Sequence, residues 1–169
     1  LDVIEELTGH GGGFADADTY LTAASGAAAR MAAGAVLVAV ETVLSSDHQR
    51  AFAAVRPPGH HATTATIMGF CLLNNVAIAA QAALDGAGDA GLERVAVVDW
   101  DVHHGTGAQA IFDADPRLLY ISTHASPFYP MTGAIEETGS GDATGTMINI
   151  PLPLGAGDAA FDAAYEQIV

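Results

Sequence analysis

Apolar residues fall in short runs, and stretches rich in glycine, proline and aspartate separate those runs. Leu1–Ala17 is glycine-rich and reads as loop. Thr19–Leu44 predicts a helix that Gly26 and Gly34 weaken. Ala51–Val55 is apolar and of strand length. Arg56–Gly69, with Pro57 and Pro58, predicts a long loop. Leu72–Leu84 predicts a buried helix and Asp85–Gly91 a turn. Arg94–Trp100, with Val95, Val97 and Val98, is the clearest strand. A helix beginning at Ala108–Phe112 ends before Pro116, and Leu118–Thr123 is the next strand. His124–Gly145 reads as loop, Met147–Ile150 as strand and Ala159–Val169 as helix. This alternation predicts an α/β domain with a parallel sheet and flanking helices. Ligands of such sheets bind beyond the carboxyl ends of the strands. The loops expected to leave those ends are Arg56–Gly69, Asp99–Gly107 and His124–Gly145, and the last is long enough to suggest a function.

Composition narrows the classes. The 169 residues suffice for one domain with a core, and half are hydrophobic. The longest apolar stretch, Ala32–Val40, lies between Arg30 and Glu41 and is too short to span a bilayer, so no membrane association is expected. No basic-then-apolar leader opens the chain, which implies a cytoplasmic protein. Cys71 is the single cysteine, so no intramolecular disulfide forms. The formal net charge is −15, with five arginines and no lysine. That balance repels nucleic acid and favours cationic partners, although acids that merely solvate the surface give the same number. The chain opens on Leu1 rather than methionine and closes inside a predicted helix, so it is expected to be a piece of a longer protein. Four of the seven histidines come as two adjacent pairs.

One pair sits in Asp99-Trp100-Asp101-Val102-His103-His104-Gly105-Thr106-Gly107, directly after the strand. Alternation along an extended segment sends Asp99, Asp101 and His103 to one side. Carboxylate and imidazole both bind zinc, so Asp101 and His103 can approach one ion, with Asp99 behind them as counter-ion. A strand end with solvated acids has the same pattern. The other pair sits in Arg56-Pro57-Pro58-Gly59-His60-His61-Ala62. Two adjacent imidazoles can hold different protonation states at one pH, which suits amide hydrolysis: one takes a proton from water, and an imidazolium later protonates the leaving amine. A surface pair on a loop is the plain alternative. Met68-Gly69-Phe70-Cys71 and Phe128-Tyr129-Pro130 each place an aromatic where it can wall a narrow slot or simply pack. Cys71 reads as a buried small residue.

The motifs RPPGHHA, GFC, DWDVHHGTG and ISTH, in this order, resemble the histone deacetylase superfamily, which includes bacterial acetylpolyamine amidohydrolases and acetoin-utilisation proteins. Their flavour is similar to the class II and bacterial branches. The resemblance runs from about Thr19 to Val169 and implies an arginase-like α/β fold, present here as its first half. It implies zinc-dependent hydrolysis of an acetylated lysine or polyamine, with Asp101 and His103 as zinc ligands. His60 and His61 match the tandem histidines, His61 as general base and acid. Asp99 matches the residue that orients His60 and also binds a structural potassium ion, and Ser122 matches a second ligand of that ion. Gly69, Phe70 and Tyr129 match the walls of the acetyl-lysine tunnel, and Asp18 a rim aspartate that holds the substrate backbone.

Thr106 departs from the family, which has Asp or Asn as partner of the second histidine there. The family's third zinc ligand, an aspartate, and its transition-state tyrosine are expected beyond residue 169. A truncated remnant without catalysis is therefore the alternative reading, as is a different metallohydrolase using D-x-D-x-H, which the tandem histidines and the RPPG loop disfavour.

Overall fold

A computed structural model of the chain describes residues 2–86 and 91–168. The predicted turn Asp85–Gly91 and the end of the predicted helix Ala159–Val169 lie partly outside the described residues. The chain forms two compact units, Leu1–Glu93 and Arg94–Val169.

The first unit begins with helix α1 (Asp2–Gly9), a pair of short antiparallel strands β1 (Gly12–Phe14) and β2 (Tyr20–Thr22), and helices α2 (Ser25–Ser45) and α3 (Asn75–Asp85). The expected loop over Leu1–Ala17 is thus corrected to a helix and a strand. Ile4 on α1 is buried with Leu21, Ala29 and Leu72, and Leu7 packs against that cluster. This spacing gives α1 an apolar stripe, while Asp2 and Glu5 in its first turn favour the positive end of the helix dipole. The helix expected from Thr19 starts later, because Tyr20–Thr22 pairs with β1 and the Thr22 N–H turns back to Ser25 Oγ at 2.9 Å.

Helices α2 and α3 pack together through small residues. Ala29, Ala32 and Ala33 are buried on α2, and Ala77, Ala80 and Ala83 on α3. At 21 residues α2 is long and apolar enough to cross a membrane by length and composition, which the shorter run Ala32–Val40 did not suggest. The strand expected at Ala51–Val55 does not form. Phe52 there is 93% exposed, and without a ladder partner an apolar run has no reason to become a strand.

The second unit contains a parallel sheet in the order β3 (Val95–Asp99), β4 (Leu118–Ser126), β5 (Met147–Pro153). Helix α4 (Thr106–Phe112) connects the first two strands, and α5 (Asp158–Gln167) follows the third. In the centre, β4 is buried along most of its length. Ile121 and Ile150 pack with Ala164 of α5, whereas Leu118, Tyr120 and Met147 are also fully inside. The register pairs Asp99 with Ser122 and Ser122 with Asn149, so three polar residues lie side by side across the ladder.

Candidate active site

In the first unit the tandem histidines sit on a turn anchored to α3. The N–H of Ala62 reaches the Gly59 carbonyl at 3.1 Å and closes the turn around His60 and His61. Asn74 caps α3 by accepting from Ala77 N–H at 3.0 Å, and its amide donates to the Ala62 carbonyl at 2.8 Å. Asn75 donates to the Pro57 carbonyl at 3.0 Å. Two asparagines at one helix start therefore hold the approach and exit of the histidine turn. The His60 and His61 rings have centroids 4.1 Å apart, and His61 is 3% exposed.

Gly69 and Phe70 form the tip of a tight hairpin. Met68 and Cys71 exchange both backbone hydrogen bonds across it, and Gly69 and Phe70 both have φ near +60°. The Gly69 backbone lies directly on the His61 ring, where any side chain at 69 would collide. Phe70 stays exposed. Its N–H donates to Thr19 Oγ1 at 3.0 Å, and the Thr19 N–H donates to Asp16 Oδ1 at 2.6 Å. Asp18, exposed, joins the same turn through its own N–H to Asp16 Oδ1. Burial pushes the Asp16 carboxyl up, but hydrogen bonds from Thr19 and Asp18 outweigh it and leave the group below the usual range. The structure thus joins Asp18, Phe70, Gly69 and His61 in one chain of contacts. Cys71 is a buried thiol, as expected.

In the second unit the strand ends at Asp99, so alternation along an extended segment does not explain how Asp101 meets His103. Two successive aspartate turns do. Asp99 Oδ1 accepts from Asp101 N–H at 3.2 Å, and Asp101 Oδ1 accepts from His103 N–H at 2.8 Å. These turns bring Asp101 Oδ1 to 2.9 Å from His103 Nδ1. Oxygen and nitrogen donors that close suit two corners of a tetrahedral zinc site, whose edges are about 3.3 Å. Among the described residues no group of three or more His, Cys, Asp or Glu side chains gathers, so the pair fits as two ligands, one short of the usual protein set. Phe128 stacks on the His103 ring with centroids 5.3 Å apart, and Tyr129 meets it edge-on at 5.9 Å. Both aromatics are half-exposed, so they form a wall beside the candidate ligand rather than part of the core.

Asp99 has a partner that sequence reasoning missed. Tyr120, fully buried two residues before Ser122, donates its hydroxyl to Asp99 Oδ2 at 2.9 Å. Burial, and then the Asp99 carboxylate, raise the phenol far above its ordinary value, so it remains a donor. Ser122 Oγ lies 3.0 Å from His124 Nδ1. Carboxylate and hydroxyl oxygens at neighbouring ladder positions have the chemistry a potassium ion takes. The only signal for Tyr120 was its alternation with Ser122. Thr106 opens α4 with its N–H on the His104 carbonyl. His104 itself is buried: Nδ1 lies 2.8 Å from Thr132 Oγ1 and Nε2 lies 3.0 Å from Gln109 Oε1. Burial holds its imidazole below the ordinary range.

The histone deacetylase domain matches residues 2–169. A probable deacetylase of Archaeoglobus fulgidus is 44% identical over 97% of the chain, which spans 45% of that protein. The chloroplastic histone deacetylase 14 of Arabidopsis thaliana is 42% identical over 89% of the chain, which spans 36% of it. Among solved structures, the HDA15 HD domain superposes with a TM-score of 0.84 at 40% identity, covering 92% of this chain and 43% of that one. An acetylpolyamine aminohydrolase from Burkholderia pseudomallei gives 0.82 at 41%, covering 89% and 43%. The chain spans about half or less of the length of these relatives, and it belongs to the histone deacetylase family.

Proposed function

We propose that the full-length protein is a zinc-dependent deacetylase that hydrolyses an acetylated lysine or polyamine to acetate and the free amine. The observation that carries this reading is the convergence of Asp101 Oδ1 and His103 Nδ1 beside the Phe128–Tyr129 wall, in a chain of this family. Asp101 and His103 would hold the zinc. When bound, the ion supplies Lewis acidity toward the acetyl carbonyl and toward water. His61 takes a proton from the attacking water and delivers one to the nitrogen as the C–N bond breaks, while His60 and Asp99 tune its charge. Gly69, Phe70 and Tyr129 line the path of the acyl chain, and Asp18 holds the substrate backbone at its mouth. Asp99 and Ser122 would take a structural potassium ion. The net charge of −15 suits a substrate whose product is cationic and disfavours nucleic acid.

The test is release of acetate from an acetyl-lysine peptide and from an acetylated polyamine by the full-length protein. Activity is expected to vanish with a chelator and return with zinc. His61→Ala is expected to lower kcat by about a hundredfold or more and to change KM less, since proton transfer matters only on the way to the transition state. No acetate from either substrate, with zinc bound, would end this reading.

A further inference from the structure

The loop that carries Phe128 and Tyr129 stands over a cavity of about 340 Å³ lined by Ser126, Pro127, Met131, Ile135, Glu137 and Pro151, among others. Met131 and Ile135 on this loop are 75% and 65% exposed, so apolar packing does little to hold it. Besides the bond from His124 Nε2 to the Gly133 carbonyl at 3.0 Å, a directed chain of hydrogen bonds holds it, which starts and ends on the loop and passes through α4. Glu137 only accepts, so the amide nitrogen of Gln109 must face it, at 2.6 Å. Gln109 Oε1 then faces two groups, Asn149 Nδ2 at 2.7 Å and His104 Nε2 at 3.0 Å, and both must donate. His104 is therefore protonated on Nε2, and its Nδ1 accepts from the Thr132 hydroxyl at 2.8 Å. The same carboxylate gathers the N–H groups of Gly133 and Ala134, and Asn149 also donates to the Glu137 carbonyl. Between the two ends, Gly133 (φ +84°) presses on the rings of His104 and His124, where a Cβ would come within 2.7 Å and 2.5 Å.

We propose that Gln109, Glu137, His104 and Thr132 form a clasp whose task is to position the Phe128–Tyr129 wall against His103. They are positioning residues: in the deacetylase reading on which this inference rests, they act on substrate through the wall and touch none of it. The clasp should accordingly govern how well an acyl chain is held, and govern the chemical step less.

Thr132 is exposed, so Thr132→Val removes the last link without endangering the fold. Gln109→Leu removes the centre. Both variants of the full-length protein would be compared with wild type by amide hydrogen exchange and by steady-state kinetics on an acetyl-lysine peptide. Exchange is expected to rise by about tenfold or more in the segment 127–136 and to stay unchanged in Leu118–Ser126 and Met147–Pro153, as for a local opening. KM should rise by about tenfold with kcat within about threefold of wild type, and Thr132→Ser should restore both readings. Unchanged exchange in 127–136, or a fall in kcat at constant KM, would overturn the clasp. If wild type hydrolyses no acetylated amine, the functional reading fails, and the exchange data still decide whether the clasp holds the wall.

Discussion

At the scale of single residues, the firmest constraint is the contact between Gly69 and His61. Gly69 combines a left-handed backbone with an imidazole against its α-carbon, so two independent reasons require glycine. Gly69→Ala should cost roughly 1–3 kcal/mol of stability, from the left-handed conformation and from the displaced ring. In the full-length protein it should also lower kcat by roughly tenfold to a hundredfold if His61 is the proposed general base, because such a base moved by about 1 Å is poorly aimed. Thermal melts and kinetics on one acetylated substrate would check both; a variant with wild-type kcat would separate His61 from the chemistry. The sequence displayed the histidines, the glycine and the aromatic as motifs. It did not display that Gly69 is the floor under His61, because the contact depends on a hairpin closed by Met68 and Cys71. Nor did it show Tyr120 on Asp99, a contact between strands 21 residues apart.

At the scale of elements, the sheet was readable and its connections were less so. Val95, Val97 and Val98, and the run Leu118 to Thr123, announce strands because β-branched and apolar residues at that spacing suit a buried ladder. Helix α1 was hidden by the glycines that follow it, and Ala51–Val55 read as a strand because a sequence cannot show whether a partner exists. The long loop after β4 was expected to be functional, but its anchors Gln109 and Glu137 lie 28 positions apart and follow no period. Glu137 gives this anchoring a pH dependence. Burial pushes its carboxyl up, yet the N–H groups of Ala134 and Gly133 and the Gln109 amide outweigh that and leave it below its ordinary value of 4.5. A depressed carboxylate stabilises the fold fully above the unfolded value, and that contribution is lost as pH falls through the folded value. Glu137→Gln keeps one oxygen for Gln109 but loses the second acceptor. It should therefore cost roughly 1 kcal/mol at pH 7 and progressively less below about pH 4.5. Denaturant melts of both forms across that range would show the gap closing; a gap that stays constant would mean that the charge contributes nothing.

At the scale of the whole molecule, two units each carry one set of the proposed site residues: His60, His61, Gly69, Phe70 and Asp18 in the first, and Asp99, Asp101, His103, Ser122 and Tyr129 in the second. The 169-residue chain spans 45% of its archaeal relative, so it offers a direct measure of how much metal affinity these units hold by themselves. Asp101 and His103 are two converging donors, and a bound zinc would keep most of its coordination as water. His104 is adjacent in sequence but unsuited as a third ligand. It is 1% exposed, its Nε2 is committed to Gln109 and its Nδ1 to Thr132, and recruiting it would break a buried network. The isolated chain is therefore expected to bind zinc with Kd weaker than about 10 μM, whereas a full-length form with a complete ligand set should reach roughly nanomolar affinity. Competition with a chromophoric chelator, with circular dichroism to confirm that the chain is folded, would measure this. His103→Ala should abolish what binding the short chain has, and His104→Ala should weaken it far less, since the His104 ring nitrogens bond to Thr132 and Gln109 and to neither ligand. Nanomolar binding by the short chain, lost on His104→Ala, would mean that the network around Gln109 opens to the metal and that His104 serves as its third ligand.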